Sequence, residues 1–212
     1  MLARIYENAK HVDPPALART NPITGALHGE EKYRVRSEML KEAALPVPPE
    51  VGRLIYMVAR TNRCKMAVEF GLALGISTIH IAAAVRDNGG GKVVTTELNA
   101  EKARRARQNL QEAGLDDIVE IRVGDARETL RTLDGPVDFV LLDGWKELYL
   151  PVLRIVEPKL REGAFIIADN LNVAAKELKP FTEYVRDPKN GYLSLELPIG
   201  DRLELSLRLN KP

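Results

Sequence analysis

Residues 66–78 read Met-Ala-Val-Glu-Phe-Gly-Leu-Ala-Leu-Gly-Ile-Ser-Thr, a short apolar run followed by two glycines. The apolar run predicts a buried strand, and the residues after Gly75 predict the start of a helix. Glycine lets the backbone turn sharply and approach a ligand closely, because it has no Cβ atom. The order strand, glycine turn, helix is typical of the ligand-binding edge of an open α/β sheet.

The same alternation continues along the chain. Four more apolar runs are separated by helix-like segments, at residues 92–97, 118–123, 137–142 and 164–168. Strands alternating with helices predict βαβ units and a parallel sheet. Two strictly alternating runs follow, at residues 192–197 and 203–209, and predict an antiparallel hairpin. The predicted fold class is therefore α/β and Rossmann-like, with a mostly parallel seven-stranded sheet that ends in a C-terminal antiparallel hairpin.

The N-terminal segment is polar and contains several prolines, so it predicts an irregular start. A helix is predicted from Glu30 to Ala44, ahead of the regular pattern that begins at Pro48. One domain is predicted over residues 1–212, with an N-terminal helical and irregular segment, 1–47, before a Rossmann-like core at 48–212.

The composition is that of an ordinary globular protein. The chain has 212 residues and a net charge of +1, from 31 basic and 30 acidic side chains, so no global field attracts nucleic acid or anionic membrane. Its single cysteine, Cys64, excludes an intramolecular disulfide and a thiolate-rich zinc site. A cytoplasmic location is expected, because neither a signal peptide nor a membrane-spanning run is visible.

The glycine turn predicts a cofactor site. Its spacing differs from the G-x-G-x-x-G pattern of dinucleotide folds, and no lysine follows the second glycine as in a phosphate-binding P-loop. The arrangement from Glu69 through Gly71 and Gly75 to Ser77 suits a methionine moiety with a free amine and carboxylate. Glu69 is expected to help position the amine, and the turn before Ser77 offers backbone N–H groups to the carboxylate.

Two acidic residues extend this site at the ends of the next strands. Glu97 ends the second predicted strand, where a carboxylate can accept both hydroxyls of a ribose. Asp125 and Ala126 follow the third strand, where an adenine ring is expected. Acidic or glycine residues at three successive strand ends predict a nucleoside-binding site.

The fourth and fifth strands predict a metal site. Asp143 follows one strand and Asp169 and Asn170 follow the other, so the parallel sheet should bring them together. Two carboxylates and an amide oxygen are hard ligands, which suit Mg²⁺ or another divalent cation such as Ca²⁺ or Mn²⁺. No imidazole joins them, which disfavours zinc.

Lys146 is a candidate general base beside this site. A lysine here is ordinarily a solvated cation, but a neighbouring divalent cation would favour its neutral amine, which can accept a hydroxyl proton.

These residues resemble a known family. Residues 48–209 resemble the class I S-adenosylmethionine-dependent methyltransferases. The runs Asp143-Gly-Trp-Lys-Glu-Leu-Tyr-Leu-Pro151 and Ala168-Asp-Asn170 are similar to catechol O-methyltransferase and its caffeoyl-CoA relatives. The resemblance implies S-adenosylmethionine binding by Glu69, Gly71, Gly75, Ser77, Glu97, Asp125, Ala126 and Asp143. It also implies a metal held by Asp143, Asp169 and Asn170, catalysis by Lys146 with Asp143, and a pocket wall at Trp145.

The sequence departs from the catechol enzyme at two points. A proline gate follows the Asp-Asn pair in that enzyme, whereas this chain reads Leu171-Asn-Val-Ala-Ala175. The catechol enzyme also places a carboxylate near its C-terminal hairpin against a substrate hydroxyl. Glu196 is a candidate for that role, although the alternation of its strand also allows it to face outward.

The predicted function is metal-dependent O-methylation of a small vicinal-diol aromatic acceptor, by a homodimeric enzyme. One alternative is a tRNA hydroxyuridine O-methyltransferase, for which Arg104, Arg105 and Arg107 offer a basic cluster. A second is a non-catalytic S-adenosylmethionine-binding protein, although such a protein needs none of the residues at the predicted metal site. The acceptor is expected to depend on the N-terminal segment and on residues 21–31 and 171–179.

Overall fold

The computed structural model describes residues Met1 to Leu209. Eight α-helices are present in this part of the chain: α1 Leu2–Thr24, α2 Gly29–Met39, α3 Pro49–Thr61, α4 Ile76–Asp87, α5 Ala100–Glu112, α6 Ala126–Thr129, α7 Tyr149–Val156 and α8 Ala175–Arg186. Its strands are β1 Met66–Phe70, β2 Lys92–Glu97, β3 Val119–Val123, β4 Val137–Leu142, β5 Leu160–Ala168, β6 Tyr192–Leu197 and β7 Leu203–Arg208.

The seven strands form one sheet in the order β3-β2-β1-β4-β5-β7-β6. Strands β1 to β5 pair in parallel, and β7 pairs antiparallel with both β5 and β6. The predicted α/β class and the C-terminal hairpin are confirmed. All six residues of β4 are buried, because helices cover both faces of the sheet. This explains why its sequence is apolar except for Asp138, whose carboxylate pairs with Arg161.

The strand register decides which side chains can meet. Phe70 at the end of β1 lies opposite Thr96 of β2 and Leu142 of β4, and Leu142 in turn lies opposite Ala168 of β5. The segments after these strands therefore leave the sheet side by side. Ligands of open α/β sheets bind at this edge.

The N-terminal segment differs from its prediction. Residues predicted as irregular form the 23-residue helix α1, which contains Pro14, Pro15 and Pro22. Its buried residues recur every three or four positions: Ile5, Ala9, Asp13, Ala16, Thr20 and Thr24. Pro14 and Pro15 lie on the exposed face, where water can satisfy the carbonyl groups that proline leaves without a donor. Burial of the opposite face therefore outweighs the helix-breaking tendency of proline.

Helix α2 ends at Met39, before the predicted Ala44. The Asp13 carboxylate accepts hydrogen bonds from the backbone N–H groups of Ala44 (2.9 Å) and Leu45 (2.8 Å), and Leu45 has a φ of 44°. These contacts hold the chain in a turn against α1. A helix continued through Ala44 would use the N–H groups that Asp13 binds.

Strand β5 begins at Leu160, four residues before the predicted start at Ala164. Leu160 to Gly163 form its partly exposed first half, which lacks the apolar signal of a buried strand. Within residues 1–209, no helix has the length and apolar character needed to cross a membrane.

Candidate active site

A cavity of about 1010 Å³ opens at the carboxyl edge of the sheet. Its floor comes from the segments that follow β1, β2, β3, β4 and β5, and its wall comes from α1, α2 and the turn before α3. Most of the predicted site residues line it: Gly71, Ser77, Glu97, Asp125, Ala126, Asp143, Lys146, Asp169 and Asn170. Residues separated by up to about a hundred positions in sequence thus line the same cavity.

Gly71 joins the predicted cofactor turn to the predicted metal site. Its φ is 112°, and an added Cβ would lie 2.6 Å from the backbone oxygen of Asp143. The N–H of Asp143 also donates to the carbonyl of Phe70 over 2.8 Å. Only glycine fits this contact, which fixes the two turns relative to each other. Gly75 caps α4 with a φ of 85° and is absent from the cavity lining.

Glu69 lies beneath the glycine turn, outside the cavity lining. Its side chain is fully buried and accepts hydrogen bonds from three hydroxyl groups, those of Ser77 (2.6 Å), Thr78 and Thr95. Burial raises the pKa of Glu69 to about 7, although the hydroxyl groups oppose the shift. The carboxylate therefore ties β1 to β2 and to the first turn of α4.

Glu97 faces the cavity at the end of β2 and organises the backbone around it. Its carboxylate accepts the N–H groups of Ala73 (3.0 Å) and Asn99 (2.9 Å). Burial raises the pKa of Glu97, and the neighbouring Lys102 ammonium opposes that shift. Lys102 is 5% exposed and lines the cavity too, a contact that the helical pattern of α5 gave no reason to expect.

Asp125 caps the short helix α6 and binds Arg127. Its carboxylate accepts the backbone N–H of Arg127 (2.8 Å) and its guanidinium (3.0 Å from Nε). This guanidinium, through its hydrogen bond, holds the pKa of Asp125 below its usual range. Ala126 is buried beside it and has no side chain beyond Cβ, so it leaves space along the cavity floor.

Asp143 and Asp169 bring two carboxylates together at the ends of β4 and β5. Asp169 is 3% exposed, and burial followed by the negative charge of Asp143 raises its pKa. Burial also raises the pKa of Asp143. Asn170 follows directly with a φ of 70° and lines the same cavity. Asp169 is buried and Asp143 is partly buried, and neighbouring carboxylates in such positions are costly unless a cation compensates them.

Lys146 supplies part of that compensation. Its Nζ lies 3.2 Å from Asp143 Oδ1 and donates to the hydroxyl of Tyr149 over 2.8 Å. The Tyr149 hydroxyl donates in turn to the carbonyl of Asp169 over 3.2 Å. Sequence reasoning missed Tyr149, which is fully buried and looked like a core aromatic. Its position one helical turn after Lys146 was the available signal.

Trp145 connects this site to the N-terminal helices. Its ring stacks on that of Tyr33 from α2, with centroids 5.5 Å apart and an angle of 22°. Lys32, which precedes Tyr33 on α2, forms an ion pair with Glu147. These contacts across more than a hundred residues of sequence hold α2 over the cavity, so the N-terminal segment completes the pocket.

The hairpin places a different carboxylate at the cavity from the predicted candidate. Glu196 is exposed on edge strand β6, where it pairs with Arg186 (3.1 Å) and Arg202 (2.9 Å), and it does not line the cavity. Asp201, in the turn between β6 and β7, does line it. Its Oδ2 accepts the N–H of Val173 over 3.0 Å.

The proposed basic cluster on α5 is largely neutralised. Arg104 pairs with Glu101 on the same helix (2.6 Å), and Arg105 pairs with Glu42 from the N-terminal segment (2.8 Å). Surface charges paired in this way contribute little to an extended positive field.

Known proteins share this sequence pattern. The family model described as a methyltransferase domain matches residues 68–171. The catechol O-methyltransferase of Mycobacterium tuberculosis is 36% identical over 128 residues, which cover 60% of this chain and 57% of that protein. The match thus spans less than two thirds of that relative's length. The protein named "Probable O-methyltransferase Rv1703c" from the same organism is 33% identical over 169 residues, which cover 74% of this chain and 70% of that protein.

The fold has known relatives too. The crystal structure of cofactor-bound Rv0187 from M. tuberculosis superposes with a TM-score of 0.73 and 27% sequence identity, and covers 88% of this chain and 94% of that one. The fold and the sequence matches together define a Rossmann-like methyltransferase. More narrowly, the chain belongs to the S-adenosylmethionine-dependent O-methyltransferase family that includes the catechol enzymes, as its motifs predicted.

Proposed function

We propose that the protein transfers the methyl group of S-adenosylmethionine to a hydroxyl of a small aromatic acceptor with vicinal hydroxyls, assisted by a divalent metal ion. One observation carries the proposal: Lys146, Asp143 and Asp169 meet on the floor of a cavity that Gly71 and Glu97 also line. One cavity thus contains a candidate base, two neighbouring carboxylates and the edge of the sheet where a nucleoside would bind.

The cofactor would lie along the ends of β1, β2 and β3. Glu97 would accept the ribose hydroxyls, Asp125 and Ala126 would flank the adenine, and Gly71 would admit the methionine portion. Glu69, which lies outside the cavity lining, would act indirectly by positioning the turn. When bound, the cofactor supplies an electrophilic methyl group, which the acceptor oxygen takes as the carbon–sulfur bond breaks.

The donor set fits a hard divalent cation. Asp143, Asp169 and Asn170 offer two carboxylates and an amide oxygen, and the raised pKa values of the two acids reflect negative charges that burial and proximity disfavour. Mg²⁺ prefers oxygen ligands and keeps positions for water or substrate. When bound, the metal supplies positive charge that favours the deprotonated acceptor.

Lys146 would accept the proton of the acceptor hydroxyl at Nζ. Tyr149 would hold that amine in place, because its hydroxyl links Nζ to the carbonyl of Asp169. Trp145 and Tyr33 would cover the acceptor ring and exclude water, and Asp201 would contact its second hydroxyl in the role first considered for Glu196. Fixing the two reactants together contributes much of the acceleration.

The other candidate functions have less support. A tRNA substrate would benefit from a continuous basic surface, whereas Arg104 and Arg105 are paired with carboxylates. A protein that only bound the cofactor would have no use for Lys146 beside two buried carboxylates.

The test is a methyl-transfer assay with labelled S-adenosylmethionine and a panel of phenols. We expect transfer to catechol-type acceptors with Mg²⁺, loss of transfer on addition of EDTA, and recovery with excess Mg²⁺. Transfer to monophenols should be weak. Full activity of the EDTA-treated protein would refute the metal-assisted mechanism, and binding of the cofactor without transfer to any phenol would refute the acceptor class.

A further inference from the structure

The cavity wall formed by α2 carries a cation that the proposed reaction does not use. Arg36 lines the cavity and is half-buried. Its Nη1 donates to Asn21 Oδ1 over 2.7 Å and to Thr24 Oγ1 over 3.1 Å, and both acceptors are neutral groups of α1. Burial lowers the pKa of Arg36, which reflects the cost of holding this charge away from water.

Three other cations of the cavity have carboxylate partners, and Arg34, which also lines it, is exposed to solvent. Lys32 pairs with Glu147, Arg127 with Asp125, and Lys146 with Asp143. Glu147 acts on Arg36 only through longer-range electrostatics, because its own carboxylate binds Lys32. A guanidinium has five N–H donors in a planar fork. Within residues 1–209, the side-chain hydrogen bonds of Arg36 engage Nη1 alone, so the remaining donors are available to the cavity.

The position of Arg36 relates it to the acceptor end of the cavity. It lies one helical turn after Tyr33, whose ring stacks on Trp145 beside Lys146. Three residues of an α-helix advance about 4.5 Å along its axis. Arg36 and Lys146 line the same cavity, and Glu147, the residue after Lys146, acts on Arg36 electrostatically, so an acceptor whose hydroxyls lie at Lys146 can extend its far end toward Arg36.

We propose that the acceptor carries an anionic substituent, most simply a carboxylate, and that Arg36 binds it. The planar guanidinium matches a carboxylate in two parallel hydrogen bonds. The neutral partners on α1 orient the fork, and within residues 1–209 no carboxylate forms a direct ion pair with it. This inference rests on the proposed function, since it names the class of acceptor for the same site.

The test compares two acceptors of nearly the same size and shape, one anionic and one neutral, 3,4-dihydroxybenzoate and 3,4-dihydroxybenzamide. For the wild-type protein with Mg²⁺, we expect kcat/KM to favour the benzoate by at least about tenfold, the size of a hydrogen bond to a charged group. Arg36→Gln should bring the ratio close to one, mainly through KM for the benzoate. Arg36→Lys should keep part of the preference, because it keeps the charge but not the fork.

Arg107→Gln is the matched control, because it removes the same charge from an exposed position on α5 outside the cavity lining. It should leave the ratio unchanged. The ratio is measured within each variant, so partial unfolding of Arg36→Gln would lower both of its rates without changing their ratio. If Arg36→Gln does not fold at all, the ratio measured for Arg36→Lys still tests the proposal.

Two results would overturn the inference. They are equal use of both acceptors by the wild type and a ratio that Arg36→Gln leaves intact. If the ratio stays intact and the affinity of Arg36→Gln for S-adenosylmethionine is weakened, Arg36 is assigned to the cofactor carboxylate. If neither acceptor is methylated, the proposed function fails. Calorimetric binding of the two compounds to the protein loaded with S-adenosylhomocysteine then still decides whether Arg36 selects the anion.

Discussion

Lys146 contacts both the Asp143 carboxylate and the Tyr149 hydroxyl, so its amine is held at one point of the cavity floor. We expect Lys146→Met to lower kcat by roughly 10²–10⁴, the usual contribution of a general base. Cofactor affinity should change by less than about threefold, because the cofactor contacts are assigned to other residues. Steady-state kinetics and calorimetry with S-adenosylmethionine measure the two quantities.

Lys189→Met provides the control for this prediction, because it removes an exposed lysine that follows α8 and lies outside the cavity lining. It should behave as the wild type. A Lys146→Met protein that kept its turnover would rule out proton transfer at this amine.

Glu69 should make stability depend on pH. Its pKa rises from an ordinary 4.5 to about 7 on folding. The folded state therefore keeps a proton that the unfolded chain has lost, and the free energy of unfolding falls as pH rises through this range. Between pH 5 and pH 8 we expect the free energy of unfolding of the wild type to fall by roughly 2–3 kcal/mol relative to that of Glu69→Gln. Urea titrations at both pH values test this.

Glu162→Gln controls for the removal of one carboxylate at an exposed position. Its pH dependence should match that of the wild type. A parallel pH dependence in Glu69→Gln would mean that Glu69 is ionised throughout this range in the folded protein.

At the scale of elements, the turn after β1 and the turn after β4 meet at Gly71. We expect Gly71→Ala to destabilise the protein by more than about 3 kcal/mol, because it adds backbone strain to a steric clash with Asp143. Gly114→Ala is a matched control, since Gly114 has a φ of 65° but nothing within 4 Å of an added Cβ. It should cost about 1–2 kcal/mol. Similar values for both variants, from denaturant unfolding, would contradict the close contact.

Elements were predictable where burial alone determines them. The run from Val137 to Leu142 is wholly buried and coincides with β4 to the residue. Helix α1 was missed because prolines dominate its local sequence, whereas its stability comes from a face packed against the rest of the molecule. The end of α2 depends on Asp13, which lies 31 residues before Ala44, so no local signal marks it.

The candidate site was predictable to the extent that it lies at strand ends. Parallel pairing alone brings Asp143 and Asp169 together. Tyr149 and Arg36 belong to helices whose sequences look structural, and only packing brings Tyr149 against Lys146 and turns Arg36 toward the cavity. Sequence alone offered only Glu196. Asp201 lines the cavity because of how the hairpin turn lies against the sheet, which alternation does not encode.

At the scale of the whole molecule, metal binding should stabilise the fold. An ion at Asp143 and Asp169 would neutralise two adjacent buried charges and bind the folded state alone. At a Mg²⁺ concentration one hundred times the Kd, the gain is about 2.7 kcal/mol, or roughly 5–10 °C in Tm for a protein of this size. Differential scanning fluorimetry with Mg²⁺ and with EDTA measures the shift.

Two variants test whether Asp169 binds the ion. Asp169→Asn should abolish the Mg²⁺ shift and raise the Tm of the metal-free protein, because it relieves the repulsion with Asp143. Asp134→Asn, at an exposed position, should keep the wild-type shift. An equal shift in Asp169→Asn would place any bound Mg²⁺ elsewhere.

The wall of the cavity comes from the first 47 residues, whereas the proposed chemistry belongs to the strand ends that follow. Under the proposed function, the part of the acceptor site that α1 and α2 form and the residues of methyl transfer are thus encoded in separate stretches of the gene. Mutagenesis libraries confined to α1 and α2 can diversify the range of compounds accepted while the reaction itself is inherited intact. The residues to hold constant in such libraries are Lys32 and Tyr33, which fasten the wall to the segment after β4, and Asp13, which holds the turn after α2 against α1.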